Sequence, residues 1–166
     1  MSSPLTELQV MRSVAEDAPE CVRMRGLTRE NAVSEERLRA HGITAESWAE
    51  DIRKGLLSGW VARHSGQIVG YCFGATQTGE VVVLALLPQE EGRGLGKRLL
   101  QLVVDDLRRQ GHSRLFLGCS ADPAVRSYGF YRQLGWVSTG IVDQHGDEML
   151  ELLVSKACSR ESQTSL

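Results

Sequence analysis

The sequence predicts a mixed α/β fold, with a mostly antiparallel central sheet of about seven strands and helices on both of its faces. Apolar segments at about 58–64, 67–75 and 79–87 follow one another, with breaks at Ser65-Gly66 and Thr78-Gly79. This pattern is typical of an antiparallel meander with short hairpin connections. A leucine-rich helix and a second hairpin complete the predicted order β-α-α-β-β-β-α-β-α-β-β, which contains no internal repeat.

The N-terminal part contributes the first strand and two helices. Residues 8–14 alternate in polarity and predict a strand, and residues 16–26 predict a helix. Residues 28–43 are polar, and their weak periodicity predicts no regular element. Thr44 is a suitable N-cap for a further helix, which is expected to end at Gly55.

The second half of the chain alternates between helices and strands. Residues 94–110 predict an amphipathic helix, because their apolar residues recur at i, i+3, i+4 and i+7. Residues 115–117 predict a short buried strand. Asp122 and Pro123 predict the N-cap and first residue of a helix that runs to about Leu134. The closing hairpin is predicted from two segments, 136–142 and 147–154.

Length and composition limit the class of protein. The 166 residues suit one domain over residues 1–155 with a polar tail at 156–166. The net charge of −2 disfavours nucleic-acid binding, and no apolar run approaches the length of a membrane span. The four cysteines lack metal-type spacing, and no secretory signal is evident. We therefore expect a cytoplasmic protein without a metal.

A glycine-rich turn is the most informative motif. An apolar segment ends at Pro88, and Gly92, Gly94 and Gly96 then precede a cationic, leucine-rich helix. Backbone N–H groups at a helix start lack intrahelical acceptors and lie at the positive end of the helix dipole. Glycines allow a ligand to approach that backbone closely. The turn therefore predicts a ligand that carries phosphate.

Two common phosphate motifs do not fit this turn. In a P-loop, a hydroxyl residue follows Gly-Lys, but Arg98 follows Gly96-Lys97 here. The dinucleotide fingerprint counted from Gly92 places its last glycine at Lys97. Hydrolysis of nucleoside triphosphates and binding of dinucleotides are therefore disfavoured.

Residues 80–154 resemble the GNAT superfamily of N-acetyltransferases. The pyrophosphate motif of that family, Arg/Gln-x-x-Gly-x-Gly/Ala, corresponds to Glu91-x-x-Gly94-x-Gly96. Its downstream helix motif corresponds to the segment Phe130-Tyr131-Arg132-Gln133-Leu134-Gly135-Trp136. The resemblance implies a V-shaped gap between the fourth and fifth strands. It also implies acetyl-CoA as co-substrate and, as acceptor, an amine of a small molecule or peptide.

Two positions depart from the family pattern: Glu91 replaces Arg or Gln, and Ala124 stands where many members carry Asn. Gly129 is also unusual inside a predicted helix. Two alternatives to acetyl transfer stay open. One is a non-catalytic protein that binds or senses an acyl-CoA, and the other is a transferase that uses a different acyl-CoA.

The resemblance also implies roles for individual residues. Tyr131 is the expected general acid, with a core aromatic as the alternative interpretation. Glu80 is the expected general base, with a solvated carboxylate and a water relay as alternatives. The expected cofactor contacts are Leu84, Ala85 and Leu86 for the thioester arm, and Glu91, Gly92, Arg93, Gly94, Leu95, Gly96 and Lys97 for the pyrophosphate.

Residues 20–57 are expected to form the wall on the acceptor side. Trp48 adds an aromatic side chain there, more typical of a helix core anchor than of a substrate platform. No histidine is assigned a catalytic role, and exposed strand edges suggest a homodimer. The charged residues of the wall are Arg25, Glu30, Glu35, Glu36 and Arg37.

Overall fold

The computed structural model describes residues 7–28 and 32–155, so Glu30 and the tail at 156–166 lie outside it. None of the described helices is both long and apolar enough to cross a membrane. The described strands are β1 (Leu8–Arg12), β2 (Leu57–His64), β3 (Gln67–Ala75), β4 (Val81–Leu86), β5 (Arg114–Ser120), β6 (Val137–Val142) and β7 (Asp147–Leu153). The described helices are α1 (Ala18–Met24), α2 (Glu35–Ala40), α3 (Ala45–Arg53), α4 (Leu95–Arg109) and α5 (Arg126–Gln133).

The described strands form two antiparallel ladders around a gap. The first ladder has the order β1-β2-β3-β4, and the second has the order β5-β7-β6. A single parallel bridge between Glu80 and Phe116 connects them. Beyond that bridge, the described parts of β4 and β5 share no ladder, and the two strands line the gap.

Helix α4 covers one face of the first ladder and approaches it closely. A Cβ at Gly74 of β3 would lie 2.9 Å from Cγ1 of Val103 and 3.0 Å from Cδ1 of Leu107. Glycine therefore permits the helix backbone to approach at this point. At the other end of α4, a Cβ at Gly96 would lie 3.1 Å from Cδ1 of Leu86. This packing places the start of α4 directly beside the end of β4.

Helices α1 and α3 cover the opposite face, as predicted. Trp48 of α3 is buried and packs edge-to-face on Tyr71 and Phe73 of β3, with ring centroids 5.7 and 5.1 Å apart. Thr44 caps α3, and its hydroxyl accepts from the Ser47 N–H at 3.0 Å. The Ser47 hydroxyl in turn accepts from the Thr44 N–H at 2.9 Å, so a serine completes the capping box. Trp48 is thus a core anchor.

Two local expectations need correction. Helix α5 begins at Arg126 and not at Asp122–Pro123, because Oδ1 of Asp122 accepts from the Ala124 N–H at 2.9 Å and holds a turn there. Helix α2 lies in the polar segment for which no element was predicted. Its N-cap is Ser34, and its buried residue is Leu38. One buried apolar residue does not produce the repeating apolar pattern by which a helix is recognised in a sequence.

A buried carboxylate connects α4 to the first two strands. Asp106 is 5 % exposed and accepts from Nε1 of Trp60 at 2.9 Å. Arg12 of β1 donates to both oxygens of Asp106 at 3.0 and 3.2 Å. Arg109 donates to Oδ1 at 3.2 Å. The four hydrogen bonds satisfy a charge that would otherwise be costly to bury.

We expect Asp106→Asn to lower the free energy of unfolding by about 2–3 kcal/mol, because the amide places a donor against existing donors. Urea denaturation measures this change. Asp105→Asn is the control and should change stability by less than about 0.5 kcal/mol, since the partner of Asp105 within the described residues is an exposed Gln101 amide at 3.0 Å. Equal urea midpoints for the two variants would contradict a structural role for Asp106.

Candidate active site

A groove with a volume of about 290 Å³ occupies the gap between β4 and β5. Its walls are the two strands, the glycine-rich turn before α4, one face of α5 and two residues that follow α1. The predicted site residues that line it are Leu84, Ala85, Leu86, Glu91, Gly92, Gly94, Gly96, Lys97 and Tyr131.

The edge of β4 presents unpaired backbone donors to this groove. The Leu87 N–H donates to the Val69 carbonyl of β3 at 2.9 Å. Hydrogen-bonded pairs alternate along an antiparallel ladder, so Ala85 also pairs with β3. The N–H and C=O groups of Leu84 and Leu86 therefore point away from β3, into the gap. Extended ligands bind along such free strand edges.

The glycine-rich turn leaves the start of α4 open. Gly94 is the N-cap with φ +82°, a conformation that favours glycine, and no side chain caps the helix. The N–H groups of Leu95, Gly96 and Lys97 precede the first intrahelical bond, from Arg98 N–H to the Gly94 carbonyl at 3.1 Å. The first turn carries no acidic residue. This arrangement favours an anion at the end of the groove.

The atypical Glu91 forms an ion pair across the groove. Nη1 of Arg126, at the start of α5, lies 3.3 Å from Oε2 of Glu91. The Glu91 side chain is 15 % exposed, whereas that of Arg126 is 58 % exposed. Arg126 therefore places a cation beside the acidic residue that replaces the expected Arg or Gln, and it reduces the local negative charge near the anion site.

The two buried tyrosines differ in their hydroxyl contacts. Tyr71 donates to the Cys21 carbonyl at 3.1 Å. Tyr131 lines the groove at 8 % exposure, and its hydroxyl forms no hydrogen bond with any other residue that the structure describes. Burial raises the pKa of Tyr131, and the nearby Cys72 and Cys119 thiols raise it further. The phenol therefore stays protonated at neutral pH.

Glu80 lies at the closed end of the gap and not along the groove itself. It forms the bridge to Phe116 and immediately precedes Val81, the first β4 residue that lines the groove. Its carbonyl accepts from the Ala75 N–H at 2.8 Å, and its N–H donates to the Thr78 hydroxyl at 3.3 Å. Burial raises the pKa of the Glu80 carboxyl.

Several predicted residues lie elsewhere. Arg93 is exposed and Leu95 is buried in the core below α4, so only their backbone borders the turn. Glu35, Glu36 and Arg37 are exposed on α2, away from the groove lining. Of the acceptor-side charges, Arg25 alone is among the described lining residues.

Sequence reasoning missed several groove residues. Ser127 precedes Tyr131 by four positions, so helical spacing could have placed it on the same face. Cys119 is buried in the core and also lines the groove. Arg126 and Thr28 carry no motif that could have marked them.

Within the described residues, no three His, Cys, Asp or Glu side chains group as metal ligands.

The comparisons with known proteins identify the family. The model of the Acetyltransferase (GNAT) family matches residues 18–136. The chain belongs to the GNAT acetyltransferase family. The expected α/β fold class and the family resemblance are therefore confirmed.

One sequence relative that is named as an acetyltransferase agrees with this assignment. The chain is 34 % identical over 100 residues to an "IAA acetyltransferase" of Azospirillum brasilense. The match covers 58 % of this chain. It covers 65 % of the length of the relative.

Solved structures share the fold at low sequence identity. PaiA N-acetyltransferase from Thermoplasma acidophilum, in complex with coenzyme A, superposes with a TM-score of 0.73 at 16 % identity, covering 89 % of this chain and 99 % of that one. YncA from Salmonella typhimurium, with its cofactor acetyl-CoA, gives a TM-score of 0.70 at 17 % identity, covering 92 % and 96 %.

The two tyrosines should respond differently to loss of the hydroxyl. Tyr71→Phe should lower the free energy of unfolding by about 0.5–1.5 kcal/mol, because it removes one buried hydrogen bond to the Cys21 carbonyl, which keeps the Arg25 N–H as a donor. Tyr131→Phe should change it by less than about 0.5 kcal/mol. Thermal and urea unfolding measure both effects. A larger loss for Tyr131→Phe than for Tyr71→Phe would indicate a structural role for the Tyr131 hydroxyl.

Proposed function

We propose that the protein transfers an acetyl group from acetyl-CoA to a primary amine of a small molecule or peptide. The acceptor attacks directly in a ternary complex. The observation that carries the proposal is the continuous groove, which joins free N–H groups of β4 to an uncapped helix start. Family membership supports the same chemistry.

The groove suits the parts of acetyl-CoA. The open N–H groups of Leu95, Gly96 and Lys97 and the Lys97 ammonium would hold the pyrophosphate. The outward N–H groups of Leu84 and Leu86 would bind the carbonyl groups of the extended arm. Acetyl-CoA supplies the activated thioester when bound.

The groove also offers a proton donor. The Tyr131 phenol is protonated at neutral pH and unpaired among the described residues, so it is suited to protonate the departing thiolate. A satisfied hydroxyl such as that of Tyr71 would first have to break a hydrogen bond.

Glu80 is the proposed proton acceptor. Its raised pKa brings it closer to neutrality, where a general base works best. Because Glu80 lies one residue beyond the groove lining, its proton transfer would pass over a short distance or through water.

The proposal also covers the domain boundaries, the cellular compartment and the oligomeric state of the protein. We infer one acetyltransferase domain over residues 1–155, a cytoplasmic location and a homodimer. The free edges of β1 and β6 support pairing between copies. The buried free thiols of Cys21, Cys72 and Cys119 are compatible with a reducing compartment.

Calorimetric titration with acetyl-CoA, followed by thiol release over a panel of amines, tests the function. We expect binding and turnover with acetyl-CoA. Binding without turnover on a broad amine panel would favour an acyl-CoA sensor. Faster turnover with succinyl-CoA or propionyl-CoA would identify a different donor, and failure to bind any acyl-CoA would exclude the proposal.

We expect Tyr131→Phe to lower kcat more than it raises KM, because the hydroxyl acts on the leaving group and not in ground-state binding. Loss of a general acid typically lowers the rate by about 100-fold or more. Tyr71→Phe is the matched control and should keep kcat in the protein that remains folded. An unchanged kcat for Tyr131→Phe would remove it from the acid role.

We expect Glu80→Gln to lower kcat/KM by about 100-fold or more and to remove the acidic limb of the pH–rate profile. Wild-type activity should rise with pH through the raised pKa of Glu80, since only the carboxylate accepts a proton. Glu50→Gln, an exposed change on α3, is the control. A pH profile identical to wild type would favour a water relay.

A further inference from the structure

The side chain of Ser127 is an unpaired polar group in the wall of the groove. Ser127 lies in the first turn of α5, and it lines the groove. Its Oγ is buried and forms no hydrogen bond with any residue that the structure describes. Burial of a hydroxyl without a partner is costly, so such a group usually marks the place of an ordered water, an ion or a ligand.

A local structural role does not account for this hydroxyl. A serine at the start of a helix commonly caps it by accepting from a backbone N–H, but the N-cap of α5 is Val125 and no side chain caps this helix. The hydroxyl of Ser120, just before α5, shows the ordinary situation, because it accepts from the Asp122 N–H at 3.2 Å. Ser127 has no contact of this kind, so its hydroxyl is available to a ligand.

Ser127 lies between the two parts of the groove that the proposed function uses. The residue before it, Arg126, forms the ion pair with Glu91 beside the anion site. Tyr131 follows Ser127 by four positions, so it lies one helical turn, about 6 Å, further along the same face of α5. Both Ser127 and Tyr131 line the groove. The hydroxyl of Ser127 is therefore placed beside the middle of the groove.

The opposite wall of the groove offers polar backbone groups. These are the outward N–H and C=O groups of Leu84 and Leu86 at the edge of β4. An extended ligand that carries amides can pair with this strand edge on one side and with Ser127 on the other. A hydroxyl suits an amide because it both donates and accepts. Serine Oγ moves between staggered rotamers, and turning toward the groove breaks no hydrogen bond.

Resting on the proposed acetyl transfer, we propose that Ser127 is a co-substrate-binding residue whose hydroxyl forms a hydrogen bond with an amide of the extended arm of acetyl-CoA. The arm then has a side-chain partner on α5 as well as backbone partners on β4. This contact holds the arm one helical turn from Tyr131, so the thioester stays within reach of the proposed acid.

The test compares ligands with and without the arm. Calorimetry gives the Kd of acetyl-CoA for wild type and Ser127→Ala, and competition against acetyl-CoA gives the Kd of ADP, which carries a pyrophosphate without the arm. We expect Ser127→Ala to raise the Kd of acetyl-CoA by about 3- to 10-fold, as the loss of one hydrogen bond predicts. The Kd of ADP should change by less than about 2-fold.

Thermal unfolding of the free protein supplies a second readout. Ser127→Ala removes an unpaired buried hydroxyl and introduces the better helix former, so its Tm should equal or exceed that of wild type. A hydroxyl that supported the fold would instead lower the Tm when removed.

Two further variants make the result specific. Ser127→Cys has nearly the same shape but is a weak donor, so it should bind acetyl-CoA as weakly as Ser127→Ala. Ser113→Ala changes an exposed serine that is not among the described lining residues, and it should leave both Kd values and the Tm unchanged.

The outcomes separate this inference from the proposed function. An unchanged Kd of acetyl-CoA in folded Ser127→Ala would assign the hydroxyl to an ordered water and overturn the proposal. A lowered Tm, wild-type affinity in Ser127→Cys, or an equal loss of affinity for ADP would also overturn it. If wild-type protein binds acetyl-CoA but acetylates no amine, the Ser127 contact stands and acetyl transfer fails.

Discussion

The missing hydrogen bonds between β4 and β5 are the constraint on which the site depends. Parallel neighbours in a sheet normally satisfy each other's backbone groups, but here the described strands meet at one bridge, Glu80–Phe116. The N–H groups of Leu84 and Leu86 are left to water or a ligand, because a buried unpaired N–H is costly. The gap is stable because α4 and α5 hold the two ladders from one side.

The electrostatic potential along the gap is set by the charged side chains that line it and not by the net charge of the chain. The whole chain carries a net charge of −2, yet its groove combines an open helix start with Lys97, Arg25 and Arg126. Glu91 is the exception, and its ion pair with Arg126 removes much of the penalty that an acid would impose beside phosphates. A family departure at one position is thus offset by a residue 35 positions away.

Elements with strong periodicity were predictable from sequence. The meander and α4 could be predicted because their apolar residues repeat at strand and helix spacing. The motif around Tyr131 also marked a residue that lines the groove. Contacts between residues that are distant in sequence could not be predicted. No local pattern shows that the Tyr71 hydroxyl finds the Cys21 carbonyl while that of Tyr131 finds no partner in the described chain. Asp122 was wrongly predicted to be the N-cap of α5, because an aspartate side chain is equally common at helix N-caps and in turns.

The single bridge at Glu80 has a mechanical consequence. Backbone hydrogen bonding fixes the width of the gap at Glu80, whereas side-chain packing alone sets it beside the turn before α4 and the start of α5. The groove is therefore bounded by backbone contacts at one end and by replaceable side chains at the other. Substitutions in the core between the ladders would change the width at the anion end before they change the position of Glu80.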